Sequence, residues 1–280
     1  MNVVITGASG FLGRALSERL RASGHSVTAI SLRTQPPPEA FAQCQAVVNL
    51  AGEPVAQRWS AAARERISTS RIQGTRSLVA ALRQHPPAVL VSASAVGYYG
   101  LRGDEILTED SPPASDFLGQ LAVGWEHEAH AAEQFGVRVV TPRIGVVIGR
   151  GGGALAQMLL PFRLGVGGRL GTGTQWMSWI ALDDLVSLIE FAIEDAALSG
   201  PVNAVAPNPV TNAVFTRELA AALHRPAIFP IPALALKLLF GEMSQILLEG
   251  QRVIPRAALR AGFQFHFADL GQVLRHAISG

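Results

Sequence analysis

The sequence predicts an α/β protein: a doubly wound parallel sheet with helices on both faces, followed by a smaller, mostly helical lobe. Three observations carry that expectation. Short Val/Ile/Leu runs alternate with segments of helical period, and the alternation stops near residue 206. The first strand-to-helix junction, "VVITGASGFLG" at residues 3–13, carries glycines three residues apart. Strands that are apolar throughout are buried on both faces, as in parallel sheets covered by helices. Right-handed crossovers then wind the chain into an open sheet.

In chain order, strands are expected at 2–6, 26–32, 46–50, 88–93, 138–148 and 202–205. Helices are expected at 11–23, 58–84, 117–136, 153–164 and 182–195. The prolines at 36–38 make a stiff loop. Beyond 206, "PVTNAVFTRELAAAL" predicts a loop and then a helix capped by Thr211 or Asn212. Three further pieces, "PALALKLLFGEMSQILL", "PRAALRAGF" and "ADLGQVLRHAI", are helical without intervening strands. The expected division is a nucleotide-binding domain at 1–206, with a substrate-side loop near 160–176, and a helical cap at 207–280.

Composition narrows the function classes. Apolar residues are 49% and charged residues 16%, which suits a large buried core rather than a disordered chain. The most apolar window, "IFPIPALALKLLFG", is interrupted by Pro230, Pro232 and Lys237, short of a membrane span. The N-terminus starts as a strand with no basic leader, so a cytoplasmic location is expected. A single cysteine, Cys44, excludes an internal disulfide and a multi-cysteine zinc site. All basic residues but Lys237 are arginines; they are scattered, and the net charge is only +2, so no nucleic-acid surface is expected. His127 and His130 share a helix face, but no third ligand is apparent and no metal is expected.

The glycines carry the first chemistry. Gly7 permits a tight turn out of the strand, Gly10 lets the backbone approach a pyrophosphate, and Gly13 lets the helix pack closely. The helix beginning near Phe11 directs its free N–H groups and positive dipole end at the anion. Thr6, Gly7, Gly10, Phe11, Leu12 and Gly13 are therefore candidate cofactor residues. NAD-preferring sites place an acid at the end of the second strand. Here the strand ends "AISLR", with Ser31 in that place and Arg33 after it. An acid would repel a 2′-phosphate, whereas Ser and Arg accept it, so NADP(H) is expected over NAD(H). The alternative for Arg33 is an ordinary surface arginine.

"TGASGFLG", "NLAG" at 49–52 and "VSASAVGYYG" at 91–100 resemble the extended short-chain dehydrogenase/reductases, which include sugar-nucleotide epimerases and dehydratases. "AGEPVAQRWSAAARERISTSRIQGTRSL", "GWEHEA", "PRIGVVIG", "GTGTQWMSWIALDDL" and the tail "PALALKLLFGEM" resemble an atypical branch of NAD-dependent epimerase/dehydratase-like proteins, some labelled cell-division inhibitors. The resemblance implies a Rossmann domain binding NADP(H), Leu50, Ala51 and Gly52 beside the cofactor, and a helical C-terminal domain of unknown function. It implies no established substrate.

One implication fails within the sequence. The superfamily places Tyr-x-x-x-Lys on a central helix, the lysine lowering the tyrosine pKa for proton transfer. By chain order those slots hold Phe117 and Leu121, and the chain has no tyrosine apart from Tyr98 and Tyr99 and no lysine apart from Lys237. Arg71, in "SRIQGT", replaces an asparagine of the superfamily; it faces the cofactor or an anionic substrate, or is a satisfied structural arginine. Ser94, or Ser92 in an alternative register, matches the serine that holds the reacting carbonyl, and Tyr98 and Tyr99 are the phenols within reach. Arg143 matches a superfamily arginine of structural character. On the substrate side, "GVGGRLGTGTQWMSWI" has five glycines, with Arg169 as an anion clamp and Trp176 and Trp179 as an apolar wall.

The expected function is an NADP(H)-dependent oxidoreductase or epimerase-like protein acting on an unidentified small molecule, as a monomer or homodimer, with neither nucleic acid nor membrane as partner. The alternative is an NADPH-binding sensor without turnover.

Overall fold

The computed structural model describes residues 1–279. Six parallel strands form its centre: β1 (Asn2–Thr6), β2 (Ser26–Ile30), β3 (Ala46–Asn49), β4 (Val89–Ser92), β5 (Arg138–Ile144) and β6 (Gly200–Ala204). They lie in the order β6-β5-β4-β3-β1-β2, and Ser94–Ala95 adds a short seventh member beside β5. The order reverses at β1, which pairs with β2 on one side and β3 on the other. At such a reversal the helices leave on opposite faces, and a crevice opens beyond the C-terminal strand ends.

Alternation along each strand divides the core into two layers. Val3, Ile5, Val48 and Val91 point to one face, where Leu16 and Leu20 of α1 (Phe11–Ala22) meet Leu185 and Ile189 of the helix spanning 182–194. Val4, Val47 and Leu90 point to the other, against Leu78 and Leu82 of α2 (Ala61–Leu82) and Ala129 of α3 (Phe117–His130). Burying each of these aliphatic side chains contributes roughly 1.5–3 kcal/mol before chain entropy is subtracted. Local signals set the helix starts. Ser60 Oγ accepts from Ala63 N–H at 3.1 Å, and Asp116 Oδ1 accepts from Gly119 N–H at 2.8 Å.

The run at 138–148, expected as one strand, is two. Main-chain closeness at Gly145 breaks it: a Cβ there would lie 2.4 Å from the Ser178 carbonyl oxygen. Val146 N–H donates to that same oxygen at 2.8 Å, so Val146–Ile148 leaves the main sheet and pairs with Trp179–Ala181. The next helices are α4 (Gly153–Arg163) and α5 (Leu182–Glu194).

After residue 206 the chain forms α6 (Asn212–Leu223), α7 (Ala233–Phe240), α8 (Ser244–Leu248), α9 (Arg256–Arg260) and α10 (Leu270–Ser279). Thr211, not Asn212, caps α6, its side chain accepting from Val214 N–H at 3.4 Å. α6 and α10 enclose a second core of Phe215, Leu219, Val273 and Leu274 around Trp179. This part is not wholly helical, because Arg252–Val253 adds a parallel bridge beside Ile106–Leu107. Ala258 and Phe263 turn back into the sheet's core beside Val140 and Val202. Among the described residues no helix is long and apolar enough to cross a membrane.

Candidate nucleotide site and crevice

The turn after β1 is built from contacts that only glycine tolerates. Gly7 has φ +72°, and a Cβ there would meet the Leu50 carbonyl carbon and oxygen at 2.7 Å. Gly13 is tighter: its Cβ would lie 2.3 Å from the Gly7 carbonyl oxygen and 2.6 Å from Ala8 Cα. Gly13 thus lets α1 pack on the turn itself. Gly10 is the N-cap of α1; it has no side chain to bond the first N–H groups, and the first turn holds no acid. That helix start differs from those of α2 and α3, whose caps occupy the same donors. It leaves the amides near Phe11, Leu12 and Gly13 free for an anion. Arg14 braces the turn by donating to the Ser9 carbonyl at 2.8 Å. The Phe11 ring is sheathed by backbone at Gly149, Gly152 and Gly153; a Cβ at Gly152 would meet it at 2.4 Å.

Ser31 and Arg33 stand exposed just past β2, with Arg33 N–H 3.2 Å from Ser31 Oγ. No acid follows β2 until Glu39. Beneath the crevice, a buried chain joins three strand ends to α2. Thr6 Oγ1 donates to Asn49 Oδ1 at 2.7 Å, and Asn49 Nδ2 donates to Thr75 Oγ1 at 2.9 Å and Ser92 Oγ at 3.1 Å. Ser92 is therefore a strut of this chain.

Ser94 belongs to a second buried network. Its Oγ donates to Glu126 Oε1 at 2.6 Å, and Arg143 grips Glu126 with Nε on Oε1 and Nη2 on Oε2, both at 2.8 Å. Arg143 Nη1 also donates to Tyr99 Oη at 2.9 Å, and Tyr99 donates to Asn203 Oδ1 at 2.5 Å. The Tyr98 ring covers the guanidinium at 3.4 Å. Burial alone would pull Arg143 down, but the hydrogen bonds and charge of Glu126 more than reverse it and hold the guanidinium above its usual range. Burial pushes the Tyr99 phenol up to about 12, with Arg143 partly opposing.

Several expected roles change here. Tyr99 is fully buried and cannot reach a substrate. Trp179 is fully buried too; its indole donates to the Asn208 carbonyl at 3.0 Å, so it is core and not a crevice wall. Trp176 is half-buried, donating to Asp104 at 2.7 Å with Arg252 stacked on its ring at 4.4 Å. Arg169 lines a separate shallow cleft with Ala213, Thr216 and Arg225 on and after α6, away from Ser94. In the slots of the missing pair, Phe117 packs edge-on against Trp59 with ring centroids 5.3 Å apart, and Leu121 is buried. Glu126 is the member that sequence reasoning missed. It stands in "GWEHEA" as one of several charges on a helix face, where the pair His127 and His130 drew notice instead.

Arg71 reaches from α2 to the segment just past β3, where Leu50 and Ala51 back the glycine turn. Its guanidinium rests on Gly52, where a Cβ would fall 3.0 Å from Cζ, and faces the Trp125 ring at 5.0 Å. Nη1 donates to the Glu53 carbonyl at 2.9 Å and the Ile67 carbonyl at 3.4 Å. Burial pulls its pKa down to about 10, with Glu53 partly opposing.

A parallel sheet with a glycine-built, uncapped helix start at its reversal point defines a dinucleotide-binding α/β protein of Rossmann type. Residues 3–205 match the NAD dependent epimerase/dehydratase family and residues 231–277 match a domain of unknown function, DUF1731. The chain belongs to the NAD dependent epimerase/dehydratase family. It is 44% identical to epimerase family protein MT2273 of Mycobacterium tuberculosis, over 98% of this chain and 97% of that protein. It is 38% identical to epimerase family protein SDR39U1 of Homo sapiens over the whole of both chains. The crystal structure of human SDR39U1 (isoform 2) with NADPH superposes with a TM-score of 0.92 over all of both chains. A nucleoside-diphosphate sugar epimerase from Corynebacterium glutamicum is 35% identical with a TM-score of 0.82, covering 99% of this chain and 58% of that one.

Proposed function

We propose that the protein binds NADPH and acts as an oxidoreductase on a small molecule held in the crevice between the strand ends and the C-terminal lobe. The observation that carries the reading is the turn at residues 7–13: two glycines whose Cβ atoms would strike backbone, at the start of an uncapped helix. That arrangement fits a pyrophosphate, and human SDR39U1, which this chain matches end to end, was crystallised with NADPH. Ser31 and Arg33, with no acid beside them, suit the 2′-phosphate. When bound, the nicotinamide supplies or accepts a hydride.

The chain's own part in the chemistry departs from its superfamily. Phe117 and Leu121 cannot move a proton. Ser94 spends its hydroxyl proton on Glu126, so what it can offer a ligand is its lone pairs, which accept from an O–H or N–H. It orients a group; it does not acidify one. Arg143 fixes Glu126, and through it the direction of Ser94. The proton needed to complete a carbonyl reduction therefore comes from water or from the substrate.

The test is loss of reduced-nicotinamide absorbance when purified protein and NADPH meet a panel of carbonyl and quinone compounds. Turnover that falls in Ser94→Ala supports the oxidoreductase. A second reading, an NADPH-binding sensor, is favoured by the apolar packing of Phe117 and Leu121, and tight NADPH binding with no oxidation across the panel supports it instead.

A further inference from the structure

We infer that Arg71, pinned between Gly52 and Trp125, is a carboxylate clamp, and that the crevice takes a small organic carboxylate as its substrate. This rests on the nucleotide-binding reading of the crevice and names the class of molecule bound beside the nucleotide.

Three features point the same way. First, the guanidinium is held flat. Gly52 abuts it, a Cβ there falling 3.0 Å from Cζ, and the Trp125 ring lies 5.0 Å from the same atom. Second, both hydrogen bonds it makes use Nη1, on the carbonyls of Glu53 and Ile67. Among the described residues nothing accepts from Nε or Nη2, the adjacent pair that forms the side-on fork matching a carboxylate. The nearest acid does not fill it, since the Glu53 carboxylate turns to Gln57 at 3.3 Å and Arg66 at 3.7 Å. Third, Trp125 is 6% exposed, yet its indole N–H has no acceptor. A buried donor left without a partner costs free energy, and this one belongs to the ring that lies against Arg71.

Two other inward-facing arginines are satisfied. Arg143 holds Glu126, and Arg138 donates to the carbonyls of Ala192, Ile193 and Leu198. Arg71 instead combines partial burial with a fork left open beside the end of β3. A planar carboxylate satisfies both fork donors at once, whereas a lysine in that place would offer a point charge.

The experiment measures binding by ligand-observed NMR to the NADPH-loaded protein. The probes are acetate, pyruvate and benzoate, their matching amides, and inorganic phosphate. At least one carboxylate is expected to bind ten-fold or more above its amide and above phosphate. Arg71→Lys, which keeps the charge and loses the fork, is expected to weaken that carboxylate by roughly 10- to 100-fold, the range for charge-assisted hydrogen bonds. Trp125→Phe, which keeps the stacking surface and loses the N–H, is expected to weaken it less. NADPH affinity, followed in parallel by nucleotide fluorescence, separates this inference from the reading beneath it. NADPH binding with no carboxylate preference overturns the clamp and leaves the nucleotide site standing. An Arg71→Lys variant that holds the carboxylate as well as the parent, or one that loses NADPH more than carboxylate, also overturns it.

Discussion

The turn at 7–13 and the corner around Ser94 follow two strands of one sheet with β3 between them, yet they are built on opposite principles. The turn is made of backbone. Its specificity resides in the absence of side chains at Gly7 and Gly13 and in amides that no cap occupies. The Ser94 corner is made of side chains, with Glu126, Arg143, Tyr99 and Asn203 locked by hydrogen bonds of 2.5–2.9 Å. A backbone site admits almost no substitution, because any Cβ destroys it. A side-chain site can be rewired provided each buried polar group finds a new partner. Here the first is held by glycines whose Cβ atoms would strike backbone, and the second by a Ser–Glu–Arg network on a helix that carries Phe and Leu at 117 and 121.

The comparison can be broken at either end. The largest effect is expected from Gly13→Val. With Cβ placed 2.3 Å from the Gly7 oxygen, it should abolish saturable NADPH binding in a fluorescence titration. It should also destabilise the fold by about 3 kcal/mol in urea unfolding. Glu126→Ala comes next. It leaves the Arg143 charge buried without a counter-ion, and about 3–5 kcal/mol of stability should disappear while the glycine turn is untouched. Combining Glu126→Leu with Arg143→Met should restore most of that loss, since no uncompensated charge remains; an equally unstable double variant would contradict the account.

Tyr99 gives a pH test of the same corner. Its phenol is raised from 10.0 in the unfolded chain to about 12 in the fold, so its contribution is complete below pH 10 and is lost as pH climbs through 12. Over that window about 2–3 kcal/mol should disappear from the unfolding free energy. Tyr99→Phe should be less stable at neutral pH and show a flatter alkaline limb. The smallest effect concerns Arg33→Ala. It should weaken NADPH by about 10-fold and leave NADH unchanged, narrowing the preference in parallel titrations. Equal loss for both nucleotides would place Arg33 away from the 2′-phosphate.

What could be read in the sequence follows this division. The strands at 2–6, 46–49 and 89–92 and the glycine turn were legible because period and glycine spacing are local signals. The split at Gly145 was not, since it depends on the Ser178 carbonyl, 33 positions away in the chain. Ser94, Arg71 and Arg143 were visible as positions, but their partners were not. Glu126 looked like any charge on a solvated helix, and Trp179 looked like a wall because a tryptophan beside glycines often lines a cleft. Burial decided both, and burial is set by segments that the sequence does not place: β6 beside β5, and α10 against α6.

The sequence by itself determined the winding of the sheet and the turn where an anion rests, because each arises from the steric properties of a few consecutive residues. It also determined that Tyr-x-x-x-Lys chemistry is absent, since a missing residue type needs no fold to be noticed. Only the tertiary structure decided that Ser94 points its proton at Glu126, that Tyr99 is sealed in the core, and that the Arg71 fork stands open. Hydrogen-bond direction and desolvation depend on what lies within a few ångströms in space, and those neighbours come from strands and helices tens to hundreds of residues apart.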